Sequence, residues 1–181
     1  MFFVPYVIRS DSNEKEYVQI LQSSLEDFEK TVYDGWQSEW TGDYLSASDI
    51  DKYTVKASDG KIVALAAYKI IHQQAYVYIV YLESAPESNP VLTSREERKF
   101  RGIGRLLFAF AVKYSIDHGC RGDVVFEAKT DELAEHYLKD FHALEIPRAG
   151  FGTPRRFMLS DSASWEIFSQ YLMEEIPDGL Q

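Results

Sequence analysis

Three strand-like runs separated by two tight turns fill the middle of the chain, and they limit the fold more than any other feature. Tyr53 to Ala57 alternates apolar and polar residues. Ser58-Asp59-Gly60 follows, and Asp-Gly favours the positive φ angles of a hairpin turn. Lys61 to Ile71 is the partner strand, His72-Gln73-Gln74 is the next turn, and Ala75 to Glu83 is a third strand. This spacing predicts an antiparallel meander. Such a meander needs helices or a second layer to cover its apolar face.

The flanking segments supply that cover. Phe2 to Ile8 reads as an opening strand, placed at an edge by Pro5. Asp11, Ser12 and Asn13 offer an N-cap for a helix from about Glu14 to Lys30, where Tyr17, Ile20, Leu21, Leu25 and Phe28 follow helical spacing. Tyr33 to Ser48 reads as a short second helix with loops, and Ser84 to Arg98 as a long polar loop. Gly102 to His118 is helical, with Gly119 as its stop. Val124 to Ala128 is a short buried strand, Asp131 to Phe141 a helix, and Arg156 to Leu159 a last strand. Ser160 or Ser162 can cap a closing helix from Ala163 to Met173. The expected class is α/β (α+β): a mixed, mostly antiparallel sheet flanked by helices, in one domain over residues 1–181.

Charge and composition narrow the function. The 181 residues carry a net charge of −10. That disfavours a nucleic-acid surface, which needs a clustered basic face, and is compatible with a cationic small molecule or peptide. No apolar run is long enough for a transmembrane helix, and MFFVPYVIRS lacks the features of a signal peptide. The single Cys120 excludes a disulfide framework and a cysteine-based zinc site, so a reducing cytoplasm is the expected compartment.

The segment Lys99-Phe100-Arg101-Gly102-Ile103-Gly104-Arg105 carries the sharpest chemical signal. Two glycines one residue apart enter an amphipathic helix. Glycine lets an anion approach the backbone, and a helix N-terminus offers free N–H donors and partial positive charge. Lys99, Arg101 and Arg105 add three cations, so the segment suits a pyrophosphate; the alternative is a plain helix-entry turn. Leu107 stands where a dinucleotide motif needs its third glycine, and Gly104-Arg105-Leu106 is not the Gly-Lys-Ser/Thr of a Walker loop.

On these residues the chain resembles the GNAT superfamily of N-acyltransferases. Their phosphate loop reads Gln/Arg-x-x-Gly-x-Gly/Ala at the start of the helix after the fourth strand. Lys99-Phe100-Arg101-Gly102-Ile103-Gly104 fits it, with Lys in the first place. The order of elements up to Leu159 fits as well, and the closing helix lies outside the match. Tyr81-Leu82-Glu83-Ser84-Ala85-Pro86, Ala128-Lys129-Thr130 and His136-Tyr137 are similar to an uncharacterised subgroup.

The resemblance implies acetyl-CoA as co-substrate, held by residues Lys99 to Arg105, with its pantetheine where the fourth and fifth strands splay. It implies an amine acceptor on a small molecule or peptide, and no metal. Backbone amides around Leu82 and Ser84 would meet the thioester oxygen. Glu83, the one acid of its strand, would be the general base, or else a carboxylate that solvates the strand end. Tyr137 would protonate the leaving thiolate, in a register that can also place Leu138 in that slot. Trp36 and Trp40, with Tyr33, Asp34, Glu39, Asp43 and Tyr44, would wall an acceptor cleft, or serve only as core and surface. A non-catalytic acyl-CoA or partner-binding module is the alternative function. A homodimer is compatible with the sequence, and no nucleic-acid or membrane partner is expected.

Overall fold

A computed structural model of the chain describes residues 1–177. Its elements are β1 (Phe2–Phe3), β2 (Tyr6–Arg9), β3 (Lys15–Tyr17), β4 (Gln19–Gln22), α1 (Leu25–Tyr33), β5 (Ile50–Lys56), β6 (Ile62–Ile71), β7 (Tyr76–Ser84), β8 (Phe100–Arg101), α2 (Ile103–Asp117), β9 (Val124–Ala128), α3 (Asp131–Asp140), β10 (Leu144–Ile146), β11 (Arg155–Leu159), α4 (Asp161–Ser169) and β12 (Leu172–Met173). A seven-stranded sheet runs in the order β10-β11-β9-β7-β6-β5-β4. The meander expected from the sequence is its β5-β6-β7 portion. The registered pairs of this sheet are antiparallel except β7 with β9, which pair in parallel at Val77 with Val124 and Tyr78 with Val125. Parallel neighbours need a long crossover, and the chain between them contains α2.

The chain forms two compact units. The first comprises residues 1–67, 81–107 and 171–177. Its α1 starts at a capping box: the Ser24 hydroxyl accepts from the Asp27 N–H, and the Asp27 carboxylate accepts from the Ser24 N–H. That carboxylate is 3% exposed, accepts from Thr54 Oγ1, and pairs with Lys56 Nζ at 2.7 Å. A buried charge needs such partners. The second unit comprises Tyr68–Val80 and Phe108–Gln170. Its core is aromatic: Phe108 meets Phe126 edge-on at 4.7 Å and Phe141 at 4.8 Å, and Tyr68 stacks on Tyr114 at 5.8 Å.

The structure departs from the sequence reading at both ends of the chain. Pro5 splits the opening strand into β1 and β2. The helix expected over Glu14 to Lys30 is half strand. Asn13 turns the chain at φ 63°, and β3 folds back on β2 with Tyr6 opposite Tyr17 and Ile8 opposite Lys15. β4 then pairs with β5, and the helix begins only at Leu25. The β-branched and aromatic residues Tyr17, Val18 and Ile20 suit both helical spacing and paired strands, and cross-strand pairing decides. Within Tyr33 to Ser48, only Asp43–Leu45 forms a 3-10 turn in place of a second helix. The closing helix stops at Ser169, after which Tyr171 is buried and β12 pairs with β1, Phe2 opposite Met173. Ser160 stands at its N-cap without a side-chain capping bond. Two short strands, β8 and β10, were not expected from sequence.

Candidate functional site

The loop from β7 through β8 into α2 belongs to the first unit. The two-residue β8 pairs with β2, Ile8 opposite Arg101 and Arg9 opposite Phe100. The Ser10 N–H donates to the Lys99 carbonyl at 3.0 Å, and the Ser88 hydroxyl accepts from the Phe100 N–H at 3.1 Å. The strand is thus fixed from both sides just before the helix starts.

Gly102 follows at φ +80°, a backbone conformation that glycine reaches without steric cost. Its carbonyl accepts the first helical bond, from the Leu106 N–H at 3.0 Å. The amides of Gly102, Ile103 and Gly104 therefore precede the first intrahelical donor. Both glycines are exposed, and a Cβ built on either would meet no heavy atom within 4 Å. The first turn of α2 contains no acidic residue to compete for these donors.

The side chains of the segment divide. Phe100 and Ile103 are buried, at 5% and 3% exposure, so they anchor the loop and offer only backbone to a ligand. Arg101 donates to Asn13 Oδ1 and is committed to the β2–β3 turn. Lys99 is exposed, its ammonium 5.1 Å from the Phe100 ring centre. Arg105 is half-buried on the first turn of α2.

Glu83 lies near the end of β7 and is 6% exposed. Its Oε1 accepts from the Gln37 backbone N–H at 2.6 Å, and its Oε2 accepts from the Trp40 indole N–H at 2.8 Å. Asn89 Nδ2 donates to Gln37 Oε1, and the Ser38 hydroxyl donates to the Tyr81 hydroxyl at 2.5 Å. The carboxylate thereby holds the 36–40 segment against the strand end. Trp40 stacks on Phe28 and meets Tyr81 edge-on, while Tyr44 meets Tyr81 from another side. Burial, with Tyr81 and Glu83 nearby, pushes the Tyr44 hydroxyl up from its ordinary range. Leu82 and Ser84 flank Glu83, both half-buried.

The aromatic residues singled out from sequence separate by role. Trp40 is a core residue at 1% exposure, Tyr33 is 89% exposed, and Trp36 is half-buried beside a cavity that Asp34 also lines. Spacing alone gave no hint of the Gln37, Ser38 and Asn89 partners.

Tyr137 belongs to the second unit. Its ring packs on Phe126 at 4.9 Å and Phe108 at 5.5 Å, and Phe141 and Phe157 complete the cluster. The hydroxyl has no hydrogen-bond partner among the described residues, and burial raises its pKa above the usual 10. It keeps its proton at neutral pH. Leu138 is half-buried on the same helix. Among the described residues, no three His, Cys, Asp or Glu side chains gather as metal ligands, and no helix is long and apolar enough to cross a membrane.

By sequence, the chain matches no family model and no curated protein. By structure it is similar to N-acetyltransferases. The spermidine/spermine N-acetyltransferase SpeG of Vibrio cholerae superposes with a TM-score of 0.56 at 11% identity, over 84% of this chain and 96% of that one. The SpeG complex with CoA and spermine gives 0.55 at 12% identity, over 81% and 97%. Nourseothricin acetyltransferase gives 0.52 at 16% identity, over 78% and 95%. The mixed, mostly antiparallel sheet with its flanking helices is the GNAT fold.

Proposed function

We propose, from that fold, that the chain transfers an acetyl group from acetyl-CoA to an amine of a small molecule or peptide. One observation carries the reading: the acid-free turn at the start of α2, where a Cβ built on Gly102 or Gly104 would meet no heavy atom within 4 Å. That turn suits a pyrophosphate. Gly102, Ile103 and Gly104 would hold it by their amides, with Phe100 and Ile103 anchoring the loop. Lys99, Arg101 and Arg105 would surround it with positive charge, since the bond from Arg101 to the neutral Asn13 Oδ1 leaves the guanidinium charge in place. Acetyl-CoA brings an already activated thioester, so positioning and proton handling are the protein's share.

An acceptor ammonium must lose a proton before it can attack. Glu83 would take it, directly or through a water, since each of its oxygens keeps a lone pair beyond the one bonded to Gln37 or Trp40. The amides around Leu82 and Ser84 would receive the thioester oxygen. Tyr137, protonated and without a hydrogen-bond partner among the described residues, would return a proton to the leaving thiolate. The fold neighbours named for spermidine and for an antibiotic favour a small cationic acceptor. The buried, unpaired Cys120 suits a reducing cytoplasm.

A second reading, a coenzyme A-binding module without turnover, is favoured by the engagement of both Glu83 oxygens. Free thiol released from acetyl-CoA across a panel of amines separates the two. Turnover that falls on Glu83→Gln and Tyr137→Phe supports the enzyme. Coenzyme A binding with no thiol release from any amine supports the module.

A further inference from the structure

A cavity of about 460 Å³ opens in the first unit between the end of α1, the β5–β6 turn and the chain just beyond β7. Lys30, Asp34, Trp36, Asp59, Lys61 and Glu87 bring its charge and its one indole. The two cations have partners: Lys30 pairs with Glu26 at 2.9 Å, and Lys61 lies 3.9 Å from Asp59. Asp34 and Glu87 have none, as neither carboxylate makes a hydrogen bond or ion pair among the described residues. Asp34 is also the C-cap of α1, so its charge adds to the negative end of the helix where a cation would be favoured. Trp36 is half-buried, and its ring meets no other ring or cation among the described residues. A cavity-lining indole without an aromatic or cationic partner among the described residues, beside two unmatched carboxylates, is the chemistry that binds an organic ammonium.

We infer that this cavity is a binding site for an alkylammonium group, held by Asp34 and Glu87 and covered by Trp36. Its walls lie close in sequence to the Glu83 anchor. Trp36 precedes Gln37, whose amide donates to Glu83, and Ala85, which also lines the cavity, comes two residues after Glu83. One or two residues of chain span roughly 3.5 to 7 Å, the reach of a few methylenes. The same ammonium chemistry has two sources: the far end of an acceptor that carries two amines, or a separate cation bound beside the acceptor. The site stands without the acetyl-transfer reading, and only the first source rests on it.

The test is calorimetric binding of 1,5-diaminopentane and of pentylamine to the protein without coenzyme A. The diamine binds about ten-fold tighter or better, the ratio expected from one added ion pair and cation–π contact. That preference disappears in Asp34→Asn/Glu87→Gln, two exposed positions whose loss leaves melting unchanged, and it shrinks in Trp36→Leu. Equal affinity for the two amines, or a preference that survives the double variant, overturns the site. A bis-quaternary pentane dication, which cannot be acetylated, separates the sources. If it competes with pentylamine acetylation, the cavity receives the far end of the acceptor. If it binds and leaves the pentylamine KM unchanged, the cavity holds a separate cation. Absence of thiol release with the diamine preference intact removes the acetyl-transfer reading and leaves the ammonium site standing.

Discussion

Replacing Glu83 by Gln is a one-atom change with a large expected effect on stability. The wild-type carboxylate accepts from the Gln37 amide at 2.6 Å and from the Trp40 indole at 2.8 Å in a site 6% exposed. A glutamine must turn its NH₂ toward one of these two donors. One charge-assisted bond then disappears, and a buried N–H is left facing another donor. The lost bond and the orphaned donor together cost about 2–4 kcal/mol. A chain of this length loses roughly 2–4 °C of melting temperature per kcal/mol, so Tm falls by about 5–15 °C. Differential scanning calorimetry reads this directly. Trp40→Phe removes the second donor, and the double variant costs less than the sum of the singles, because the pair shares one interaction. A Glu83→Gln protein that melts within about 1 °C of wild type would refute the latch, since even the smallest cost above exceeds that shift. Kinetics of the variant must be measured well below its melting point. There, a base role lowers kcat by about 10²- to 10⁴-fold.

Three further outcomes follow from the geometry. Gly104→Ala leaves the melting temperature unchanged or slightly raised, because its Cβ meets open space in a helix, while coenzyme A affinity measured by calorimetry falls. Gly102→Ala, at φ +80°, melts lower by the strain of about 1–2 kcal/mol. Tyr137→Phe keeps wild-type stability, since its hydroxyl has no hydrogen-bond partner among the described residues, and lowers kcat with little change in KM. For Asp27, burial raises the pKa, but the bonds from Lys56, the Ser24 amide and Thr54 outweigh it and hold the carboxyl below its ordinary 3.8. A depressed folded pKa gives stability that is present above the unfolded value and lost as pH falls through the folded one. Acid titration of the unfolding free energy therefore steepens below pH 3.8, and Asp27→Asn removes that part of the slope.

What the sequence revealed was local. The β5-β6-β7 meander and α2 each carry their own period and their own stop signals, so Asp59-Gly60 and Gly119 mark boundaries without outside information. Gly119 indeed ends α2 at φ +79°, and the Thr130 hydroxyl caps α3 by accepting from the Leu133 N–H. The strands β3, β4, β8, β10 and β12 are two to four residues long and exist because another strand pairs with them. No period can show in so few residues. The capping box Ser24-x-x-Asp27 was a readable signal for the true start of α1, outweighed by apolar spacing that happened to continue upstream. The site divides in the same way. The glycine turn is contiguous and legible, and Glu83 stood out as the one acid in its strand. Its partners lie 43 and 46 residues away, and the Asn13 that takes up Arg101 lies 88 residues from it. Only the folded chain brings those groups together.

The central claim is that the amides at the start of α2 bind the pyrophosphate of coenzyme A. Titration of ¹⁵N-labelled protein with coenzyme A, followed by amide chemical shifts, tests it at the atoms concerned. Saturable shifts are expected to be largest at Gly102, Ile103, Gly104 and Arg105, and to be lost in Gly104→Glu although that protein stays folded. Shifts centred elsewhere, or none at about 1 mM coenzyme A, where even a complex of about −4 kcal/mol is half formed, would contradict it.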